Sequence, residues 1–263
     1  MRAIFCKTCI IAFLFYLPFS ANACGVNGHR IVGEIADSYL SANARKSIVK
    51  ILGSESIAMA SNYADFIKSD SLYAYVSPWH YVNIPESLSQ PEVMNFLDSD
   101  TSVDAYTKLN FIVKQLRNKN STVVDKVFYL KLLIHIVGDI HQPLHTGHAA
   151  DQGGNTIKVF WFQESTNLHR LWDDQLIVFQ QLSYTEYAKA INHPTATEVN
   201  NWQKFTLKQW LYDSYKTAEN IYALTKPGEH LSYKYNYMFV QTLNTQLLKG
   251  GIHLAALLND IYG

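Results

Sequence analysis

The stretch LKLLIHIVGDIHQPLH, residues 130–145, constrains this chain more than any other part of it. Its first half is apolar nearly all round, the pattern of a helix buried at the centre of a fold. Yet His135 and Asp139 stand in that run, four apart and so on one helix face. An imidazole and a carboxylate carried into a core need partners, because burying either one unsatisfied is costly. Pro143 ends the helix, since proline loses an intrahelical hydrogen bond and clashes with the preceding turn, and His145 follows at the exit. The spacing returns in NLHRLWD, residues 167–173, where His169 and Asp173 form a second His-x-x-x-Asp pair. One such pair reads more readily as an internal hydrogen bond than as a metal site. Two of them, with His145 between, point to several divalent ions, and mixed nitrogen and oxygen ligation points to zinc.

Ahead of this block, residues 1–23 read as a secretory leader. Arg2 and Lys7 flank a short n-region, residues 10–17 are apolar, and Ala21-Asn22-Ala23 is a small-x-small cleavage site. The apolar run is too short to span a bilayer comfortably. The expectation is an exported protein, periplasmic or extracellular, with no stable membrane insertion and Cys24 as its first mature residue. Of the three cysteines, Cys6 and Cys9 would leave with the leader, so no internal disulfide can form. Acylation of Cys24 is the lesser reading, because Ala21 stands where lipoprotein signals carry leucine. The 22 basic and 22 acidic residues balance, which excludes a broadly basic surface coating nucleic acid. Any phosphate chemistry must come from a local site.

Residues 24–263 read as one domain, because no repeat, linker or low-complexity tract divides them. Apolar periodicity predicts helices over 29–40, 41–52 and 57–68, with Ser41 as N-cap and Gly53 as stop. Two prolines mark 78–85 as extended. Helices follow at 102–116 and, centrally, at 123–141. Residues 156–162 are β-branched and aromatic, the one convincing strand or hairpin arm. Helix resumes at 168 and reaches 224, Pro227-Gly228 is a turn, and two closing helices, 232–248 and 252–261, are parted by Gly250-Gly251. The fold class expected is mainly α with a short β-hairpin.

Gly28-His29, Ala64-Asp65, Trp79-His80-Tyr81, the GDIHQPLH block at 138–145, Gly153-Gly154-Asn155, Asn167-Leu168-His169 with Trp172-Asp173, and Leu254-Ala255 with Leu257-Leu258-Asn259 together resemble the S1/P1 nuclease family. These are zinc-dependent enzymes that cleave single-stranded DNA and RNA, and the resemblance runs over 24–263. It implies a helical fold of the phospholipase C/P1 nuclease type with three zinc ions at the bottom of a cleft. Asp65, His80, His135 and Asp139 would hold the first ion. Asp139 would bridge to a second, completed by His29 and by the amine and carbonyl of Cys24. His145, His169 and Asp173 would hold the third. A hydroxide held near Asp65 and Asp139 is expected to attack phosphorus and give 5′-phosphate products, and the resemblance implies that Asn155 bonds a phosphate oxygen. Tyr81 would stack on a base and Asn83 bond its edge. Nucleotides are implied as further substrates through 3′-nucleotidase activity.

The chain departs from the family pattern at Cys24, where relatives begin with tryptophan, at Phe66, where some carry a polar or acidic residue, and at His253, where arginine is common. His141 is expected to orient a ligand and His148 to be a loop residue, while His193, His230 and His253 read as surface or packing histidines. Lys68, Lys158 and Arg170 read as contacts to the substrate backbone or as solvated charge. The alternative activity is that of a zinc-dependent phospholipase C acting on phospholipid headgroups, a related class with a similar trinuclear site. A purely structural or metal-sequestering cluster is a third reading, and the carboxylate-rich ligand set argues for open, catalytic sites instead. No feature of the sequence specifies an oligomeric state.

Overall fold

The computed structural model describes residues 25–263; the expected leader and Cys24 lie outside the described residues. The chain runs through α1 (Val26–Ser38), α2 (Ala42–Leu52), α3 (Ile57–Ala60) and α4 (Tyr63–Ile67) to a 3-10 helix at Ser71–His80. Helices α5 (Gln90–Ser99), α6 (Ala105–Arg117) and α7 (Val123–Asp139) follow. Two 3-10 turns, Pro143–Thr146 and Ala149–Asp151, lead into β1 (Lys158–Trp161) and β2 (Glu164–Asn167). Helices α8 (Leu168–Arg170), α9 (Leu176–Phe179), α10 (Tyr184–Ile191), α11 (Ala196–Trp202) and α12 (Leu207–Leu224), the short β3 (His230–Leu231) and α13 (Tyr233–Tyr262) complete it. The fold is mainly α with one small sheet. No helix among the described residues is long and apolar enough to cross a membrane.

Helix α7 lies at the centre, as its all-round apolar character requires. Thr122 starts it, its hydroxyl accepting from Asp125 N at 3.1 Å. Nearly every residue from Leu130 to Asp139 is buried, with α1, α6 and α13 packed around it. His135 and Asp139 are thus carried into the middle of the molecule by a helix whose other faces are hydrophobic.

The two closing helices are one. Helix α13 runs unbroken for 30 residues through Gly250 and Gly251, because the glycines serve close approach rather than a break. A Cβ built on Gly251 would stand 2.4 Å from Ile35 Cγ2, and one on Gly250 would stand 3.1 Å from Val32 Cγ2. The backbone of α13 therefore lies directly on α1. Gly251→Ala should push the pair apart and cost about 1–3 kcal/mol, as overpacking a filled core does. The check is a fall in the urea midpoint at unchanged slope; an unaltered midpoint would mean that α13 slides freely on α1.

Two further expectations are corrected. The segment 57–68 is two helices, α3 and α4, because Ser61 and Asn62 interrupt it and the Ser61 carbonyl turns away to meet His135 Nδ1 at 2.6 Å. The stretch expected to be extended from 78 is 3-10 helix through His80 and extended only from Tyr81 onward. Pro78 fits there because its fixed φ lies within the 3-10 range. The strand signal resolves into a hairpin in which β1 pairs antiparallel with β2. The connecting turn passes through Phe162 at φ +56°, and β3 adds a parallel edge. Two residues are too short a strand to show in a sequence.

Candidate metal centre

Eight of the expected ligands lie among the described residues, His29, Asp65, His80, His135, Asp139, His145, His169 and Asp173, and the fold brings all of them together. They form three groups, in each of which the donor atoms lie within 4.8 Å of one another: His29, Asp65 and His135; His80, His135 and Asp139, which share His135 with the first; and His145, His169 and Asp173. Asp139 is the hub. One of its oxygens, Oδ2, lies 3.1 Å from His135 Nε2, and the other, Oδ1, lies 3.4 Å from His29 Nε2 and 3.5 Å from His145 Nδ1. His145 Nε2 in turn lies 3.2 Å from Asp173 Oδ1, and His169 Nε2 3.2 Å from Asp173 Oδ2. His29 stacks on His135 at 3.9 Å between ring centres.

Each element delivers its ligand for a local reason. α1 carries His29, which rests against Gly138; a Cβ there would fall 2.6 Å from His29 Nδ1. The β-hairpin ends in Asn167, whose side chain accepts from Arg170 N at 2.7 Å and starts the helix bearing His169. That helix then widens into a π-helical turn at Leu171–Gln175, a local insertion of the kind found at functional sites. Gly25 lies so close to Asp173 that a Cβ would overlap its carbonyl oxygen, which seats the start of the described chain against the third group.

Four imidazoles are oriented by carbonyls. Nδ1 of His135 faces Ser61 O at 2.6 Å, that of His145 faces His80 O at 2.7 Å, that of His169 faces Gly153 O at 2.8 Å, and that of His80 faces Ser77 O at 3.0 Å. A carbonyl only accepts, so each Nδ1 carries a proton and each Nε2 is turned inward, where it offers its lone pair to a metal that displaces any proton there. Gln142 does the same for Asp173, donating from Nε2 to Oδ1 at 2.7 Å. Among the buried atoms left without a hydrogen bond are His80 Nε2, His135 Nε2, Asp65 Oδ2 and Asp139 Oδ2. Buried polar atoms are rarely left so, and nitrogen and oxygen donors aimed at shared points fit zinc.

The electrostatics agree. Burial opposes ionisation of Asp139, but the imidazoles of His135 and His145 outweigh it and hold the carboxyl well below its usual range. Asp173 behaves likewise through His169 and His145. Burial also disfavours the His145 imidazolium, yet Asp139 and Asp173 push that group up to about 9. His80 goes the other way, driven down to about 4 chiefly by burial. Asp139 and Asp173 are therefore held ionised among these imidazoles.

The S1/P1 Nuclease family model matches residues 24–263. The chain belongs to the S1/P1 nuclease family. It is 29% identical to Endonuclease 2 of Arabidopsis thaliana, over 97% of this chain and 96% of that protein. It is 30% identical to Nuclease S1 of Aspergillus oryzae over 57% of this chain and 53% of that one. With Nuclease P1 of Penicillium citrinum it shares 26% identity, over 91% of this chain and 98% of the relative.

Beside the clusters opens a cavity of about 300 Å³, and the residues expected from the family resemblance to meet substrate line it. Tyr81, Asn83 and Asn155 share its wall with Lys68, His80, His145, His169 and Asp173. Tyr81 is 41% exposed and so has a ring face to offer. The Asn155 amide donates to Gln152 O at 2.8 Å within its own turn, and Gly153 and Gly154 beside it adopt positive φ. Lys68, read from sequence as either substrate contact or solvated charge, sits on the site itself, 2.7 Å from Asp65 Oδ1. Phe66 points outward and is exposed.

His141 is a correction. It orients no ligand: its Nδ1 lies 2.7 Å from Val137 O and its Nε2 2.7 Å from His253 Nδ1. Both rings are buried, and His253 stacks on Trp210 at 4.6 Å. The pair packs against Trp210. Gln142, its neighbour in the same motif, makes the bond to Asp173 instead, and no periodicity distinguishes the two in sequence.

Proposed function

We propose that this chain is an exported, zinc-dependent endonuclease that hydrolyses single-stranded DNA and RNA to 5′-phosphate products and that also acts as a 3′-nucleotidase. The reading includes removal of residues 1–23, a catalytic domain of 24–263, and three zinc ions. The ligands are His29, Asp65, His80, His135, Asp139, His145, His169 and Asp173, with the amine and carbonyl of Cys24 completing the set beside His29. The observation that carries it is the opening of His80 and of the His145, His169 and Asp173 group, on a chain of a nuclease family, into a cavity walled by Tyr81, Asn83 and Asn155.

Zinc held by these groups supplies Lewis-acid polarisation of the phosphate and lowers the pKa of the attacking water. The remaining work falls to the chain. The unpartnered Oδ2 atoms of Asp65 and Asp139 accept hydrogen bonds from the water and aim its oxygen at phosphorus. Asn155 turns its amide from Gln152 to a phosphate oxygen. The water gives up one proton through these carboxylates to solvent as its oxygen bonds phosphorus and the bond to the 3′-oxygen breaks; that oxygen takes a proton from solvent, and the phosphate stays on the 5′ side. Tyr81 stacks on a base and Asn83 bonds its edge. A paired base inside a duplex cannot present its face to Tyr81 without being unstacked, which is the source of the single-strand preference.

The test is hydrolysis of single-stranded DNA, RNA and phosphatidylcholine side by side, after chelation and after zinc is restored. Nucleic-acid cleavage that vanishes with chelator and returns with zinc supports the reading. Lipid hydrolysis without nuclease activity would replace it with a phospholipase C. Tyr81→Ala should weaken single-strand binding by about 1–3 kcal/mol per stacked base, read as a rise in KM for dinucleotides. An unchanged KM would make Tyr81 a wall residue only.

A further inference from the structure

The cavity has two walls that come from distant parts of the chain, and both are tied to α12. On the wall bearing Tyr81 and Asn83, Tyr215 Oη accepts from Leu88 N at 2.8 Å and donates to Pro85 O at 3.0 Å. Glu219 Oε2 accepts from Ser87 N at 3.1 Å. On the wall bearing Asn155, Tyr222 Oη donates to Asp151 Oδ1 at 3.0 Å, and the same Asp151 oxygen accepts from Gly154 N at 2.7 Å. The link between the walls is His148. Its Nε2 lies 2.5 Å from Glu219 Oε1, its ring stacks on Tyr222 at 4.3 Å, and its Nδ1 lies 4.0 Å from both Glu86 Oε2 and Asp151 Oδ2. One carboxylate, Glu219, thus holds the backbone of one wall with one oxygen and the side chain of the other wall with its second.

A second observation points the same way. Gln152, in the Asn155 wall, and Ser87, four residues beyond Asn83, are non-glycine residues at φ +56° and +61°. Such conformations persist only where the surroundings over-determine them. The Ser87 N–H is itself the donor to Glu219, and Gln152 follows directly after Asp151. The contacts that bridge the walls therefore act on two strained turns, one in the Asn155 wall and one at the end of the segment that carries Tyr81 and Asn83. Neither His148 nor Glu219 lines that cavity or belongs to the His/Asp groups.

We propose that Glu219 and His148 form a positioning pair that sets the gap between the base-holding wall, Tyr81 and Asn83, and the phosphate-holding wall at Asn155. The inference rests on the single-strand nuclease reading. With the pair intact the two walls grip base and phosphate of one nucleotide together; with it cut they move independently, and binding suffers while the metal groups stay as they were.

The test compares wild type, Glu219→Ala, Glu219→Gln, His148→Ala and the double alanine variant on single-stranded dinucleotides and on bis(p-nitrophenyl) phosphate, a diester with no base. Glu219→Ala is expected to raise KM for the dinucleotide about tenfold, the scale of a lost hydrogen bond to a charged group. Its kcat and zinc content should stay at wild-type values, and KM for the base-free diester should not move. Glu219→Gln keeps a single carbonyl oxygen, so it can accept from Ser87 N or from His148 but not from both, and should recover only part of the loss; the double variant should be no worse than either single one, as for residues acting as a unit. An unchanged dinucleotide KM in Glu219→Ala overturns the inference. So does a parallel loss of kcat and zinc on both substrates, the mark of general damage. If wild type itself leaves single strands intact, the nuclease reading fails, and the inference with it.

Discussion

Asp139→Ala is expected to reduce hydrolysis of single-stranded DNA by more than about a thousandfold, the scale on which removing a metal's contribution to the transition state is felt. Asp139 is the carboxylate that meets imidazoles of two separate groups, with His29, His135 and His145 all within 3.1–3.5 Å of its oxygens. Alanine removes the one carboxylate that these three imidazoles share, leaving Asp65 beside His135 and Asp173 beside His145 but none between them. Cations placed there would repel the protonated rings and one another, and nothing would hold two of them close. Asp139→Asn separates charge from volume: it keeps the shape and one oxygen and loses the charge. Both variants should therefore bind less zinc than wild type by elemental analysis. Neither should recover on adding zinc. Full activity or full zinc content in the alanine variant would sink the scheme.

Chelation should lower Tm by about 10 °C at pH 9 and by clearly less at pH 6. A ligand about a thousandfold above its Kd contributes about 4 kcal/mol, and each kcal/mol shifts Tm by about 2–4 °C in a chain of this size. The pH dependence follows from the protons that take the metal's place. His145, pushed up to about 9, and His135, also raised, are imidazolium in the metal-free protein and pair with Asp139 and Asp173. A folded pKa above the unfolded one contributes stability that is complete below about 6.5 and lost as the pH rises through about 9. Metal-free protein therefore weakens across that window. Loaded protein does not, because metal binding strengthens as protons cease to compete for the same nitrogens. Calorimetry with and without chelator at pH 6 and pH 9 checks this; a gap that is constant or narrows with pH contradicts it.

How far the site could be read in advance depended on how local each relationship is. His135 and Asp139 are one helical turn apart, so their pairing is written in the helix period, and the fold places them 3.1 Å apart. His169 and Asp173 have the same spacing, but a π-helical turn runs between them, and Asp173 works as much with His145 and Gln142 as with His169. His141 shows the limit of motif reading. Two residues past Asp139 and just beyond the end of α7, it turns its ring toward His253 rather than toward a ligand. Gly250 and Gly251 show the limit of propensity: a glycine costs a helix about 1 kcal/mol, which the contact of α13 with α1 overrides.

The residue types of the site, the central burial of α7 and membership of the family were all present in the sequence, because helix periodicity and short motifs act over one or two turns. Tertiary structure alone decided the rest. Asp65 and His80 reach His135 from segments more than fifty residues away in sequence, and no local period relates them. The same holds for Ser61, whose carbonyl leaves its helix to orient His135, and for Glu219, which joins two cavity walls from a helix far beyond both. These contacts exist because burying α7 on all sides forces distant segments to close around its one polar face.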